Sequence, residues 1–232
     1  FEFREGAMNS YDPATKPALD AAIAKRSEVL CTFYNTVEDL TAAKNAAKAQ
    51  LEEAIAGVQL NMPVAGNYYR IRCTDGNRRL LSSLEGDRLK LANTVTDESI
   101  YYYTGDALLS YVAGMYINAY NFNNVGETSK VVITPASTGT LGCYNIQVGD
   151  RMIYGAGGTI DSGTGTPDDR AGYRWWLEAV TKLPVTITDA GYATFYAPVE
   201  VTLPEGVTAH TVTENGEWAT LSDAISVVPA NN

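Results

Sequence analysis

The chain has 232 residues, 45% of them hydrophobic, which suits one large or two to three small domains and argues against disorder. Its 17 basic and 27 acidic residues give a net charge of −10, so nucleic acid and anionic lipid, which need clustered Lys and Arg, are disfavoured partners. No stretch approaches the roughly 20 apolar residues of a membrane-spanning helix, and no membrane span is expected.

The chain opens on Phe1 without a Met and closes on Pro229, Ala230, Asn231 and Asn232 just after an apolar run. Phe1 is expected to begin a mature or excised fragment, and the C-terminal end is expected to be truncated. Cys31, Cys73 and Cys143 are three in number, scattered, and lack CxxC spacing, so neither a zinc site nor a disulfide framework is expected. Cys73 alternates with Tyr69 and Ile71, which predicts a buried free thiol.

Residues 12–58 are rich in Ala, Leu, Lys, Glu and Gln. Leu19, Ile23, Val29, Leu30 and Phe33, then Leu40, Ala43, Ala47, Leu51, Ile55 and Val58, recur at helical spacing. Asn35 marks a break, and Thr36 followed by Asp39 resembles a capping box that starts a second helix. Gly57 and Pro63 end it. The expectation for residues 1–62 is a helical hairpin acting as a spacer.

From Gly66 onward Tyr, Ile, Val, Thr and Gly replace the helix formers, with turns at Asp75-Gly76, Gly105-Asp106 and Gly149-Asp150. Three short strand patterns repeat. Strand openers hold Tyr69 and Ile71, then Leu109, then Tyr144 and Ile146. A second strand in each copy carries Leu80, Ile117 and Ile153, which recur 37 and then 36 residues apart. Closing strands hold Tyr101–Tyr103, Val131–Thr134 and Trp175–Glu178. Self-similarity at a fixed period predicts a threefold, closed all-β domain over residues 63–180, with any chemistry in its loops. A Gly/Thr/Asp-rich stretch between Gly155 and Gly172 reads as a long loop in the third copy. After Val180 short alternating strands at 185–187, 193–195, 199–203 and 208–212 predict a small, incomplete β-domain over residues 181–232. The fold class is thus multidomain α+β.

The repeats of residues 66–180 resemble the ricin-type β-trefoil, whose members are mostly non-catalytic sugar-binding modules. The run Arg174-Trp175-Trp176-Leu177 occupies the place of that family's Gln-x-Trp signature, with Arg174 where Gln is usual; the first and second copies close without it. That signature's Trp packs the core in the family. Residues 65–72 and 190–207 look like accessory regions of large secreted Bacteroidetes proteins, many of them glycan-degrading. Residues 47–58 are similar to the last helix of FIVAR-type spacers. These resemblances imply a secreted, periplasmic or cell-surface location and a modular, lectin-like role.

Catalysis is not indicated. His210 is the only histidine and sits in a predicted terminal strand, which leaves nucleophilic chemistry without its usual base. Gly155, Gly157 and Gly158 are followed by neither Lys-Ser nor Lys-Thr and match no phosphate cradle. Asp161, Asp168 and Asp169 lack calcium-loop spacing and read as a solvated loop. Neither metal nor cofactor is expected. Sugar binding requires less: an aromatic ring for the apolar face of a pyranose, and Asp or Asn for its hydroxyls. The repeat turns offer Asp75 and Asn77, Tyr103 and Asp106, and Asp150 and Tyr154. The richest cluster is Asn118, Tyr120, Asn121 and Asn123. The expected function is a carbohydrate-binding module that holds an attached or separate hydrolase near glycan. The alternatives are a structural spacer or protein-interaction module, and a glycoside hydrolase.

Overall fold

The computed structural model describes residues 1–75, 77, 79–82, 89–112, 114–118, 129–137, 140–156, 159–163 and 170–180, and strand segments at 183–186, 199–202, 209–212, 218–221 and 224–227. The chain divides into two compact units, Phe1–Ala179 and Val180–Asn232.

The first unit begins with a pair of helices, α1 (Lys16–Cys31) and α2 (Val37–Ala56). Thr36 caps α2 as its spacing predicts: its side-chain oxygen accepts from Asp39 N–H at 3.0 Å, and Glu38 and Asp39 face the positive end of the helix dipole. Leu19 and Ala22 near the start of α1 meet Ala54 near the end of α2, so the two run antiparallel. The seam between them is thin. At the turn between the helices, Leu30 and Phe33 of the periodic set stand 62 and 90% exposed, and Val37 beside them 72%.

A large antiparallel sheet follows: β1 (Asn67–Cys73), β2 (Leu80–Ser82), β3 (Lys90–Ala92), β4 (Ile100–Tyr103), β5 (Leu108–Ser110), β6 (Val131–Pro135), β7 (Tyr144–Val148), β8 (Arg151–Ala156), β9 (Thr159–Gly163) and β10 (Trp175–Val180). β1 pairs with β4, β4 with β5, β6 with β7, β7 with β10, and β10 with β1. The Val131 N–H at the start of β6 donates to the carbonyl of Asp106, in the turn between β4 and β5, at 2.6 Å. These six strands pair in the order β5-β4-β1-β10-β7-β6, and the β2–β3 and β8–β9 hairpins branch from β1 and β7 and meet each other at Lys90 and Thr159.

Alternation along each strand builds the core. Tyr69, Ile71 and Cys73 of β1, Tyr101 and Tyr103 of β4, Tyr144, Ile146 and Val148 of β7, and Trp175 and Leu177 of β10 all point inward. Leu80, Ile117 and Ile153, the recurrent aliphatic residues, are each wholly buried. Trp175 is wholly buried in this core, and its indole N–H donates to the Ile153 carbonyl at 3.2 Å. Trp176, expected at the Trp place of the signature, faces the other way and is half-buried. The reason is register: Trp175 stands opposite the buried Tyr144, and residues directly opposite share a face.

The helical region and the sheet belong to the same unit. Tyr11 and Leu60 join the sheet's core cluster, and Tyr11 forms bridges to Phe3 and Leu60. In the second unit β11 (Leu183–Thr186) pairs parallel with β12 (Val199–Thr202), β12 pairs antiparallel with β15 (Ala224–Val227), and β13 (Ala209–Val212) pairs with β14 (Trp218–Leu221). The strand predicted at 193–195 lies outside the described residues.

Candidate ligand-binding face

The same alternation that sends Tyr69, Tyr101 and Tyr103 inward sends their neighbours Tyr68 and Tyr102 outward. Tyr68 pairs directly with Tyr102, Tyr102 with Leu109, and Leu109 with Tyr116. Directly opposed residues lie on one face of a sheet, so these four side chains form a single row across neighbouring strands. At the usual strand spacing the row is about 14 Å long. All four are half-buried, so each keeps surface open to solvent.

The Tyr68 and Tyr102 rings meet at 5.0 Å with a tilt of 50°, and Tyr111 stands edge-on to Tyr68 at 6.1 Å. Burial raises the phenol pKa of Tyr68, and the neighbouring Tyr102 and Tyr111 hydroxyls raise it further. Tyr111 is raised by burial and then by the Asp97 carboxylate. Both phenols stay protonated at neutral pH and can donate or accept a hydrogen bond.

β1 carries two arginines on this face, at every second residue after Tyr68. Arg72 is held by Glu178 of β10 in a two-point ion pair, Nε to Oε1 at 2.5 Å and a terminal nitrogen to Oε2 at 3.1 Å. Arg70 stands opposite the wholly buried Ile100. Its Nε is sealed from solvent and has no hydrogen-bond partner.

The residues singled out by sequence are distributed over separate places. Asp75 follows β1 and is half-buried; its Oδ1 is sealed from solvent and has no partner. Asn77 is exposed nearby. Tyr103 and Asp106 are close to one another, but Tyr103 is 8% exposed and its hydroxyl donates to the Gly105 carbonyl at 2.6 Å. No ring face is open for a ligand at Tyr103, because its position in β4 points inward. Asp106 is exposed and accepts from the Thr104 hydroxyl at 2.9 Å. Asn118 is half-buried two residues after Tyr116, beyond the inward Ile117, and so shares the outward face with the end of the aromatic row. Tyr120, Asn121 and Asn123 lie outside the described residues. Asp150 is exposed beside Arg151 at 4.0 Å.

Tyr154 belongs to a second aromatic group that is already filled. Its ring lies 4.7 Å from Tyr173, and the Arg170 guanidinium sits 4.8 Å from one ring centre and 5.1 Å from the other. Arg170 also donates to the Tyr173 hydroxyl at 3.1 Å. A cation on these rings takes the stacking position that a sugar would need.

Among the described residues no group of three His, Cys, Asp or Glu is placed to hold a metal ion, and no helix is long and apolar enough to cross a membrane. Cys73 and Cys143 are buried free thiols, and burial pushes each up to about 11. Sequence reasoning passed over Tyr68, Tyr102, Tyr111 and Tyr116. The signal for two of them was present, since an inward Tyr69 and an inward Tyr101 and Tyr103 require outward neighbours. No protein-family model, curated protein or solved structure matches this chain.

Proposed function

We propose that this chain is a non-catalytic carbohydrate-binding module, with residues 63–180 wound as a β-trefoil-like domain in a secreted glycan-processing protein. The observation that carries the reading is the in-register row of Tyr68, Tyr102, Leu109 and Tyr116 on the outer face of the sheet. A pyranose has an apolar face that stacks on such rings, and hydroxyls that bond to phenols and amides at the margin. The six-strand run β5-β4-β1-β10-β7-β6 and the buried recurrence of Leu80, Ile117 and Ile153 support the trefoil-like winding. Tilted rings on an open face bury little ligand, so each site binds weakly and avidity comes from linked modules.

A glycan array followed by affinity electrophoresis of the intact chain tests the proposal. At least one polysaccharide should retard the native protein, and Tyr102→Ala should weaken retardation about 3- to 10-fold, the worth of one stacked ring. Migration unchanged by every glycan class tried would reject the reading.

A second reading, a protein-interaction module, is favoured by the exposed Leu30, Phe33 and Val37 at the turn between the helices. Exposed apolar clusters of this kind mark protein contacts. It predicts loss of partner capture on Phe33→Ser with glycan retention unchanged.

A further inference from the structure

We infer that the glycan taken by this face is acidic: a pyranose bearing a carboxylate or sulfate, its ring on Tyr68 and Tyr102 and its anion on Arg70. The inference rests on the glycan-binding reading and adds the charge of the ligand.

Tyr68, Arg70 and Arg72 lie at every second position of β1 and share its outer face. Arg72 is neutralised by Glu178 at two points. Among the described residues Arg70 has neither an ion-pair nor a side-chain hydrogen-bond partner, and its Nε is shut away from water without an acceptor. In a chain with 27 acidic and 17 basic residues, carboxylate partners are abundant, so a half-buried guanidinium left without one needs a reason. The two carboxylates on the neighbouring turn are engaged elsewhere: Glu98 accepts from the Ser82 hydroxyl at 3.3 Å, and Asp97 faces Tyr111. Opposite Arg70 in register is the buried, apolar Ile100.

A guanidinium partly withdrawn from water loses hydration, and an anion compensates that loss best, through opposite charge and two-point acceptance. Carboxylate and sulfate both accept its forked donors, and such charge-assisted bonds are roughly twice as strong as neutral ones. Two residues along a strand separate Arg70 from Tyr68 by about 7 Å. That matches a sugar ring stacked on the tyrosine pair with its acidic substituent directed along β1. A neutral sugar would fill the rings and offer the guanidinium only hydroxyl and ring oxygens, without the opposite charge.

The test uses the intact chain and matched ligands: a polygalacturonate and its methyl ester, and a sulfated galactan and its desulfated form, each titrated by calorimetry. The expected result is at least tenfold tighter binding to one acidic ligand than to its neutral counterpart, weakening as salt is raised. Arg70→Gln should abolish that preference; Arg70→Lys should recover part of it, because charge remains and the fork is lost. Thermal melts of both variants should overlay the native one, since Arg70 has no bond to lose. Equal affinity for acidic and neutral partners, unchanged by Arg70→Gln, overturns the acidic assignment and leaves the glycan-binding reading standing. Absence of binding to all four ligands and to the array overturns both.

Discussion

Asn9 and Leu177 are bound to each other twice: the Asn9 side-chain N–H donates to the Leu177 carbonyl at 2.7 Å, and the Leu177 N–H donates to the Asn9 Oδ1 at 2.9 Å. One side chain from the N-terminal segment thereby does for β10 what a neighbouring strand would do. Asn9 adopts a left-handed backbone with φ of 61°, which Asn tolerates better than most residues. Nearby, the Tyr144 hydroxyl donates to the Asn61 carbonyl at 2.5 Å, and the Tyr11 hydroxyl accepts from Gly142 N–H at 3.0 Å.

Asn9→Ala should lower unfolding free energy by about 3 kcal/mol, because two main-chain groups of Leu177 lose partners and alanine fits the left-handed backbone poorly. Urea denaturation measures it. A fragment spanning 63–180 should melt well below the chain that includes residues 1–62, since Tyr11 and Leu60 leave the core with them.

Adjacent tyrosines in β4 should separate cleanly. Tyr103→Ala empties a core position and should cost about 3–5 kcal/mol of stability. Tyr102→Ala should cost under about 1 kcal/mol yet weaken glycan retention. Paired melting and affinity measurements on the two variants check this, and a reversed pattern would mean that β4 is turned the other way round.

Gly172→Ala should be severely destabilising. A Cβ there would lie 2.2 Å from the Gly155 carbonyl oxygen and 2.5 Å from the Tyr154 ring. Backbone cannot yield as a flexible side chain does, so the loss should exceed the roughly 1–3 kcal/mol of ordinary overpacking. Calorimetric melting of the variant against the native chain reads the effect.

The three thiols should react unequally. Cys31 is exposed, while Cys73 and Cys143 are buried with pKa pushed up to about 11. Alkylation at pH 8 should modify one cysteine in the native protein and three after denaturation, counted by mass spectrometry. Both folded pKa values lie above the ordinary 9.0, so the unfolded chain gives up these protons first. Their contribution to stability is complete below pH 9 and is lost as pH rises to about 11. Burial pushes Tyr144 to about 12 from 10.0, which extends the decline upward. An unfolding midpoint flat between pH 9 and 12 would contradict it.

Much of the architecture was written in local pattern. The Thr36 cap, the helix pair, the strand alternation and the burial of Leu80, Ile117 and Ile153 all follow from side-chain period and turn chemistry. The tryptophan of β10 shows where pattern stopped being enough. Trp175 and Trp176 are adjacent and chemically identical, and only pairing with Tyr144 decides which one enters the core.

The candidate site depended on the same kind of fact. Composition and spacing determined that this chain is acidic, tyrosine-rich, and built from helices followed by short strands. Turn residues drew attention because polar side chains beside aromatics stand out along one dimension. Tertiary structure decided that Tyr68, Tyr102, Leu109 and Tyr116, far apart in sequence, line up as neighbours, while Tyr103 is consumed by packing. It also decided which arginine finds a carboxylate: Arg72 and Arg70 differ by two positions on one strand, and only the register against β10 brings Glu178 to the first. Periodicity is local and therefore readable along the chain; register between strands is set by every contact of the folded core at once.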